Sequence, residues 1–215
     1  MQNGQLRHRD DGRPLAAYAE QVAVICPRCA APGWVAAHWQ PYQWQARFRC
    51  GSCGHRLEQG QWAGAREYRG HRACGHCGYK WVGAGKRFES APAVPPVELE
   101  GCCQRCGWRG PVPVEVHIVR DGAAVDPHFG LALALQVDTR AGTVWAYNRE
   151  HLRSLADFAA ATLRERGPSV NRSLFSRMPT WMKLARHRVL LQRALVRLQA
   201  RLDGLPACPA WPDPA

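Results

Sequence analysis

The chain has 215 residues, with 29 Lys or Arg against 17 Asp or Glu, a net charge of +12, and ten cysteines. That length suits one ordinary domain or two small ones; Met1 to Pro14 is polar, and no apolar run is long enough to span a bilayer. The pattern argues against a membrane protein and predicts a cytoplasmic one, in which paired cysteines serve as metal ligands rather than disulfides.

Residues 1–20 read as a flexible N-terminus. Eight cysteines then follow in four Cys-x-x-Cys pairs: Cys26/Cys29, Cys50/Cys53, Cys74/Cys77 and Cys103/Cys106. Such a pair turns the backbone so that two sulfurs converge on one ion, and two pairs joined by a hairpin make a zinc ribbon with four thiolates in a tetrahedron. The first ribbon is placed at residues 21–66. Its pairs are separated by 20 residues that read as two strands, Trp34 to Trp39 and Tyr42 to Arg49, around a Gln40-Pro41 turn. The second is placed at 67–120, where 25 residues separate the pairs and the stiff Ala91 to Pro96 stretch accounts for the extra length before a strand at Val97 to Glu100.

Another partition joins Cys50/Cys53 to Cys74/Cys77, but it leaves the first and last pairs to meet across the whole domain. Cys102 can replace Cys103, and His55, His71 and His76 lie near knuckles. Four thiolates also suit iron. Two Zn²⁺ ions, each in a closed site with no position left for substrate or water, are the preferred reading, and they supply folding free energy rather than catalysis.

Val112 to Val119 alternates as a strand should. Residues 121–148 read as a further β-hairpin, Leu131 to Val137 and Thr143 to Tyr147, whose loop Asp138 to Gly142 lies where a knuckle could sit. Residues 149–203 form a basic helical region: Asn148 caps a helix that Gly167-Pro168 ends, with Leu152, Leu155, Phe158 and Leu163 as its apolar stripe. A last helix runs from Thr180 to about Leu202 with a break near His187. On it Leu184, Leu191, Leu195, Leu198 and Leu202 cluster on one side, and Arg186, Arg193, Arg197 and Arg201 lie opposite. Residues 204–215 are a Pro-rich tail in which Cys208 reads as a free thiol. The fold class is therefore α+β: two tandem zinc ribbons, a β-hairpin and a C-terminal helical region.

From Arg149 to Leu202 there are twelve Lys or Arg and three acids, an excess of nine positive charges. A clustered excess of this kind is the footprint of a polyanion binder. Only three of the 29 basic residues are lysine, however, which a GC-rich coding sequence would also produce, so charge alone leaves both readings open.

Asp126-Pro-His-Phe-Gly-Leu131, Leu133-Ala-Leu-Gln136, Trp145-Ala-Tyr-Asn148 with Glu150-His151-Leu152, Leu163-Arg-Glu-Arg166 and Ser176-Arg-Met-Pro-Thr-Trp-Met-Lys183 resemble a family of bacterial proteins described as TFIIB-type zinc-ribbon-containing. The resemblance implies zinc binding and a ribbon-plus-helices architecture, with no activity attached. Members of that family often carry a Cys-Cys-Gly knuckle in the late hairpin, where this chain has Asp138 to Gly142.

The resulting expectation is a non-enzymatic protein that binds DNA or RNA or serves the machinery around them, with arginines tracking phosphates and Trp39, Trp44, Trp62 or Trp81 available for stacking. The alternative is a protein–protein adaptor docked on a larger complex. Neither reading has a membrane or small-molecule ligand. No metalloprotease, phosphate-loop or nucleophile-elbow motif occurs, and His117, Asp126, His128 and Asp138 have no spacing that ties them into an acid/base site.

Overall fold

The computed structural model describes residues 6–120, 124–165 and 171–208. In chain order the elements are β1 (Arg7–Arg9), a 3₁₀ turn at Leu15–Tyr18, β2 (Gln21–Ile25), β3 (Pro32–Gln40), β4 (Gln43–Arg49), β5 (Arg56–Leu57), β6 (Arg66–Arg72), β7 (Val82–Phe88), β8 (Glu98–Cys102), β9 (Arg109–Pro113), β10 (Glu115–Ile118), β11 (Gln136–Thr139), β12 (Gly142–Trp145), α1 (Arg149–Ala160), β13 (Leu163–Glu165), α2 (Leu174–Arg177), α3 (Thr180–Lys183), a 3₁₀ turn at Ala185–His187 and α4 (Arg188–Asp203). The protein is mixed α and β, with small, mostly antiparallel sheets and a C-terminal helix. No described helix is long and apolar enough to cross a membrane.

Two compact units divide the chain, one formed by the residues up to Gly60 together with those from Ala124 onward, the other by Gln61–Ala123. The second ribbon is thus an insertion, and the first ribbon shares its unit with the late hairpin and helices. The reason lies in β2. Its Val22, Ala23 and Val24 are buried because the strand is used on both edges. It pairs antiparallel with β3 on one side, and on the other the Ile25 N–H donates to Ala132 O at 2.8 Å while the Ala134 N–H donates to Ala23 O at 2.9 Å. The sheet continues β2-β3-β4-β5, with Ala36, Ala37, Ala46 and Phe48 in its core.

Several local expectations change. Residues 6–20, read as a flexible lead-in, include β1 and a 3₁₀ turn that buries Tyr18, whose ring stacks on His151 at 5.1 Å. Helix α1 begins at Arg149 as its Asn148 cap predicts, the side chain accepting the His151 N–H at 2.9 Å, but it ends at Ala160. Leu163 is 40% exposed and off the apolar stripe, because residues 163–165 leave the helix to pair in parallel with β1. Residues 166–170, including the expected Gly167-Pro168 stop, lie outside the described residues.

The hairpin loop is two residues long, Arg140-Ala141, rather than five, since the Thr139 hydroxyl donates to Gly142 O at 2.7 Å and Asp138 accepts the Thr143 hydroxyl at 2.6 Å. Val112 to Val119 is two strands with different partners, β9 on β8 and β10 on β6. The long last helix breaks at Leu184, whose extended backbone separates α3 from the 3₁₀ turn and α4. Of the tail, Pro206 is held by its carbonyl, which accepts Trp34 Nε1–H at 2.8 Å; residues 209–215 lie outside the description.

The inserted unit has a small core. Val82 and Val112 pack with Cys74 and Cys103, and Tyr79 and Trp108 cover them. Trp62 and Tyr68 are buried in the same unit, and even so the apolar side chains are few for its size, so a metal ion held by its four cysteines would add a cross-link that the core does not supply.

Candidate metal centres

All four Cys-x-x-Cys pairs adopt one turn. In each, the first cysteine's N–H donates to the carbonyl five residues on, at 2.8 Å for Cys26 to Ala31 and Cys50 to His55, 2.7 Å for Cys74 to Tyr79 and 2.8 Å for Cys103 to Trp108. The residue four positions after the first cysteine returns its N–H to that cysteine's carbonyl. That residue sits at positive φ, 70° at Gly54, 71° at Gly78 and 73° at Gly107, where glycine has no steric cost; Ala30 takes the place at 58° in the first turn.

The turns converge in sequential pairs. Cys26, Cys29, Cys50 and Cys53 bring their Sγ atoms within 4.8 Å of one another, and so do Cys74, Cys77, Cys103 and Cys106. The closest contacts are 3.7 Å for Cys26–Cys53, 3.5 Å for Cys29–Cys50, and 3.7 Å for both Cys74–Cys106 and Cys77–Cys103. A disulfide needs about 2.0 Å, whereas the edge of a tetrahedron with metal–sulfur bonds of about 2.3 Å is roughly 3.8 Å. The donor set and its spacing fit one tetrathiolate metal ion per site.

The turns also prepare the sulfurs electrically. At Cys50 the Cys53 N–H is the largest influence, and with the Ser52 N–H and the Cys29 and Cys53 thiols it outweighs burial and draws the thiol down to about 6. Burial opposes ionisation most at Cys74, yet the Cys77 and His76 N–H groups and the Cys106 and Cys103 thiols bring it to about 6 as well. Cys29 shows the opposite balance. The Ala31 N–H pulls its thiol down, but Cys53, burial, Cys50 and Cys26 together push it up to about 12. Four thiolates this close repel one another, so each centre needs a cation to ionise fully.

None of the spare ligands joins either cluster. Cys102 ends β8 opposite Arg109, the His55 ring packs edge-on to Phe48 at 6.3 Å, and the His71 ring lies 4.8 Å from Trp81. His76 contributes its backbone, donating N–H to Cys74 Sγ at 3.4 Å.

A fifth turn has the same shape without cysteine. The Asp126 N–H donates to Leu131 O at 2.8 Å, the Gly130 N–H donates to Asp126 O at 3.2 Å, and Gly130 has φ 73°. Asp126 occupies the first-cysteine position and Phe129 the second. The carboxylate accepts N–H from His128 and Phe129 at 2.9 Å each and from Leu131 at 2.6 Å, and both Asp126 and Phe129 are buried. The knuckle-shaped turn of the late hairpin is therefore at Asp126–Leu131, before β11, and the Asp138–Gly142 loop is an ordinary tight turn. The signal was in the sequence: glycine follows Asp126 by four residues, as it follows Cys50, Cys74 and Cys103.

The basic residues are placed on the same scaffold. Leu191, Leu195, Leu198 and Leu202 of α4 are buried, and Arg193 and Arg197 stand exposed opposite them, one turn apart, with Arg186 exposed in the preceding 3₁₀ turn. Arg201 is also exposed, but its Nη1 donates to Gln136 O and so ties α4 to β11. Trp39 and Trp81 are exposed, whereas Trp62 is buried with its Nε1–H on Ala65 O at 2.9 Å. Asp126 is spent on its turn, His128 Nε2 lies 2.8 Å from Ala19 O, Asp138 serves the hairpin, and His117 belongs to the inserted unit. Comparison of the chain with protein-family models, curated proteins and solved structures finds no match.

Proposed function

We propose that this is a zinc protein without a catalytic centre that binds nucleic acid, or serves nucleic-acid machinery, through the arginine face of α4. One observation carries the reading: Arg186, Arg193 and Arg197 are exposed and make no ion pair with any described residue, while Asp203, the one acid on α4, is engaged by Arg149 at 3.4 Å and Gln199 at 2.8 Å. A row of unneutralised guanidinium groups attracts phosphates and gains from counterion release.

The metal is assigned as Zn²⁺, two ions per chain, because four closed thiolates suit an ion with no redox duty and no ligand-field preference. With every coordination position filled by protein, the centres hold shape and leave binding to the surface. The resemblance to TFIIB-type ribbon proteins agrees with this by fold analogy.

The test is anisotropy of a labelled oligonucleotide at several salt concentrations. Binding should weaken with a log–log slope of about −0.9 per neutralised phosphate for duplex or −0.7 for single strands. The double variant Arg193→Glu, Arg197→Glu should lose most of the affinity. Binding indifferent to salt and to this variant would remove the proposal.

A further inference from the structure

Helices α1 and α4 lie antiparallel and are clasped at both ends. Arg149 Nη2 reaches Asp203 Oδ1 at 3.4 Å where α1 begins and α4 finishes, and Gln192 Nε2 donates to Ala159 O at 3.4 Å near the other end. On their outer side runs a groove of about 780 Å³ floored by Leu152 and Leu195 and flanked by Ala156 and Val196. Val196 is 71% exposed and Val189, two turns before it on the same face, is 58% exposed. Two uncovered β-branched side chains in line beside an apolar groove are the profile of a helix-binding seam.

The charges around the groove select its occupant. Glu150, the acid in its lining, is held by Arg13 at 2.6 Å, and Asp203 is held as described above. Arg153 on the α1 bank, and Arg193 and Arg197 on the next row of α4, make no ion pair with any described residue. The seam therefore has an apolar floor, with Gln21, Asn148, Gln192 and Gln199 as neutral polar lining and with Arg153 and Arg193 as the unpaired cations beside it. A second copy of this chain is a poor partner, since its α4 would bring four arginines against one aspartate.

We infer that the α1/α4 groove binds an amphipathic helix of a partner protein, one whose leucine-type stripe fills the floor and whose Asp or Glu flanks face Arg153 and Arg193. Helix α1 has 12 residues and so measures about 18 Å, which sets the occupant at about three turns. The groove shares Arg193 with the proposed nucleic-acid face, and Arg153 and Ala156 of α1, which that face does not include, distinguish the two.

Two designed helical peptides of about 16 residues, with one apolar stripe and either Glu or Lys flanks, test it by anisotropy against the full-length zinc-loaded protein. The Glu peptide should bind and the Lys peptide should not. Ala156→Trp, which fills the groove without changing charge, and Arg153→Glu should each weaken the Glu peptide by about tenfold or more, and Arg153→Glu should gain affinity for the Lys peptide. Oligonucleotide affinity should survive Ala156→Trp. Arg153→Glu is an exposed change, so the charge swap remains readable even if the tryptophan disturbs the fold. Failure of the Glu peptide to bind the folded protein, equal binding of both peptides, indifference to Ala156→Trp in a folded variant, or loss of oligonucleotide rather than peptide binding would overturn the inference.

Discussion

Asp126 and Leu131 are joined twice, the Asp126 N–H donating to the Leu131 carbonyl at 2.8 Å and the Leu131 N–H returning to the Asp126 carboxylate at 2.6 Å. A buried carboxylate here closes, from within the chain, a turn whose four counterparts each present two cysteine sulfurs to a candidate metal centre. The first unit therefore has one cysteine-bearing ribbon and one ribbon-like turn anchored by protein alone.

Removing that carboxylate leaves three N–H donors, from His128, Phe129 and Leu131, without their acceptor. Asp126→Ala should cost about 3 kcal/mol or more, read as a lower urea midpoint for the first unit with both metal ions retained. An unchanged midpoint would mean the turn is held by something other than its carboxylate.

The metal centres should be lost one at a time. Cys50→Ser should halve the bound metal and unfold the first ribbon, while Cys106→Ser should do the same to the inserted unit. A closed tetrathiolate site contributes on the order of 10 kcal/mol to folding, far more than the packing of Val82 and Val112 around Cys74 and Cys103 can replace. Metal content with circular dichroism checks both variants, and retention of two ions in either would disprove the assignment of that site.

Gly70 should be irreplaceable. A Cβ there would meet Pro113 O at 2.0 Å, because β6 passes directly beneath the point where β9 gives way to β10. Backbone cannot step aside as a side-chain end can, so Gly70→Ala should destabilise the inserted unit by about 3 kcal/mol. Denaturant titration of the variant reads this, and a cost near zero would mean the strands do not cross so closely.

His151 is 1% exposed, and burial alone drives its pKa down to about 3. Its Nδ1 accepts the Tyr147 N–H at 3.1 Å, which fixes the neutral ring with its proton on Nε2. An unfolded histidine titrates near about 6.5, so below that pH the unfolded chain binds the extra proton first. Stability is full above about 6.5 and falls with decreasing pH by up to about 1.4 kcal/mol per unit until the folded value is reached. Imidazole ¹⁵N shifts should show the neutral ring persisting at pH 5, and a midpoint near 6.5 would contradict the burial argument.

The parts of this architecture that were legible in the sequence are those written locally. The cysteine spacing names both four-cysteine clusters, Asn148 marks the start of α1, and the leucine period marks the buried face of α4. Long-range pairing was not legible. Leu163 continues the period set by Leu152 and Leu155, and nothing at residues 160–162 signals a stop; the helix ends because Thr162 and Leu163 donate to the Leu6 carbonyl, more than 150 residues away in sequence. The insertion of the second ribbon was hidden for the same reason, since it depends on β2 accepting residues 132–134 as a second neighbour. Asp126 escaped because a lone aspartate carries no pairing signal, although its glycine at the fourth position matches the knuckles.

Native mass spectrometry of gently purified, full-length protein mixed with an oligonucleotide reads bound metal and bound nucleic acid on the same molecule. The prediction is a chain carrying two zinc ions, with an oligonucleotide adduct that disappears in Arg193→Glu, Arg197→Glu while both zinc ions remain. A metal-free folded chain, or an adduct untouched by that double substitution, would contradict it.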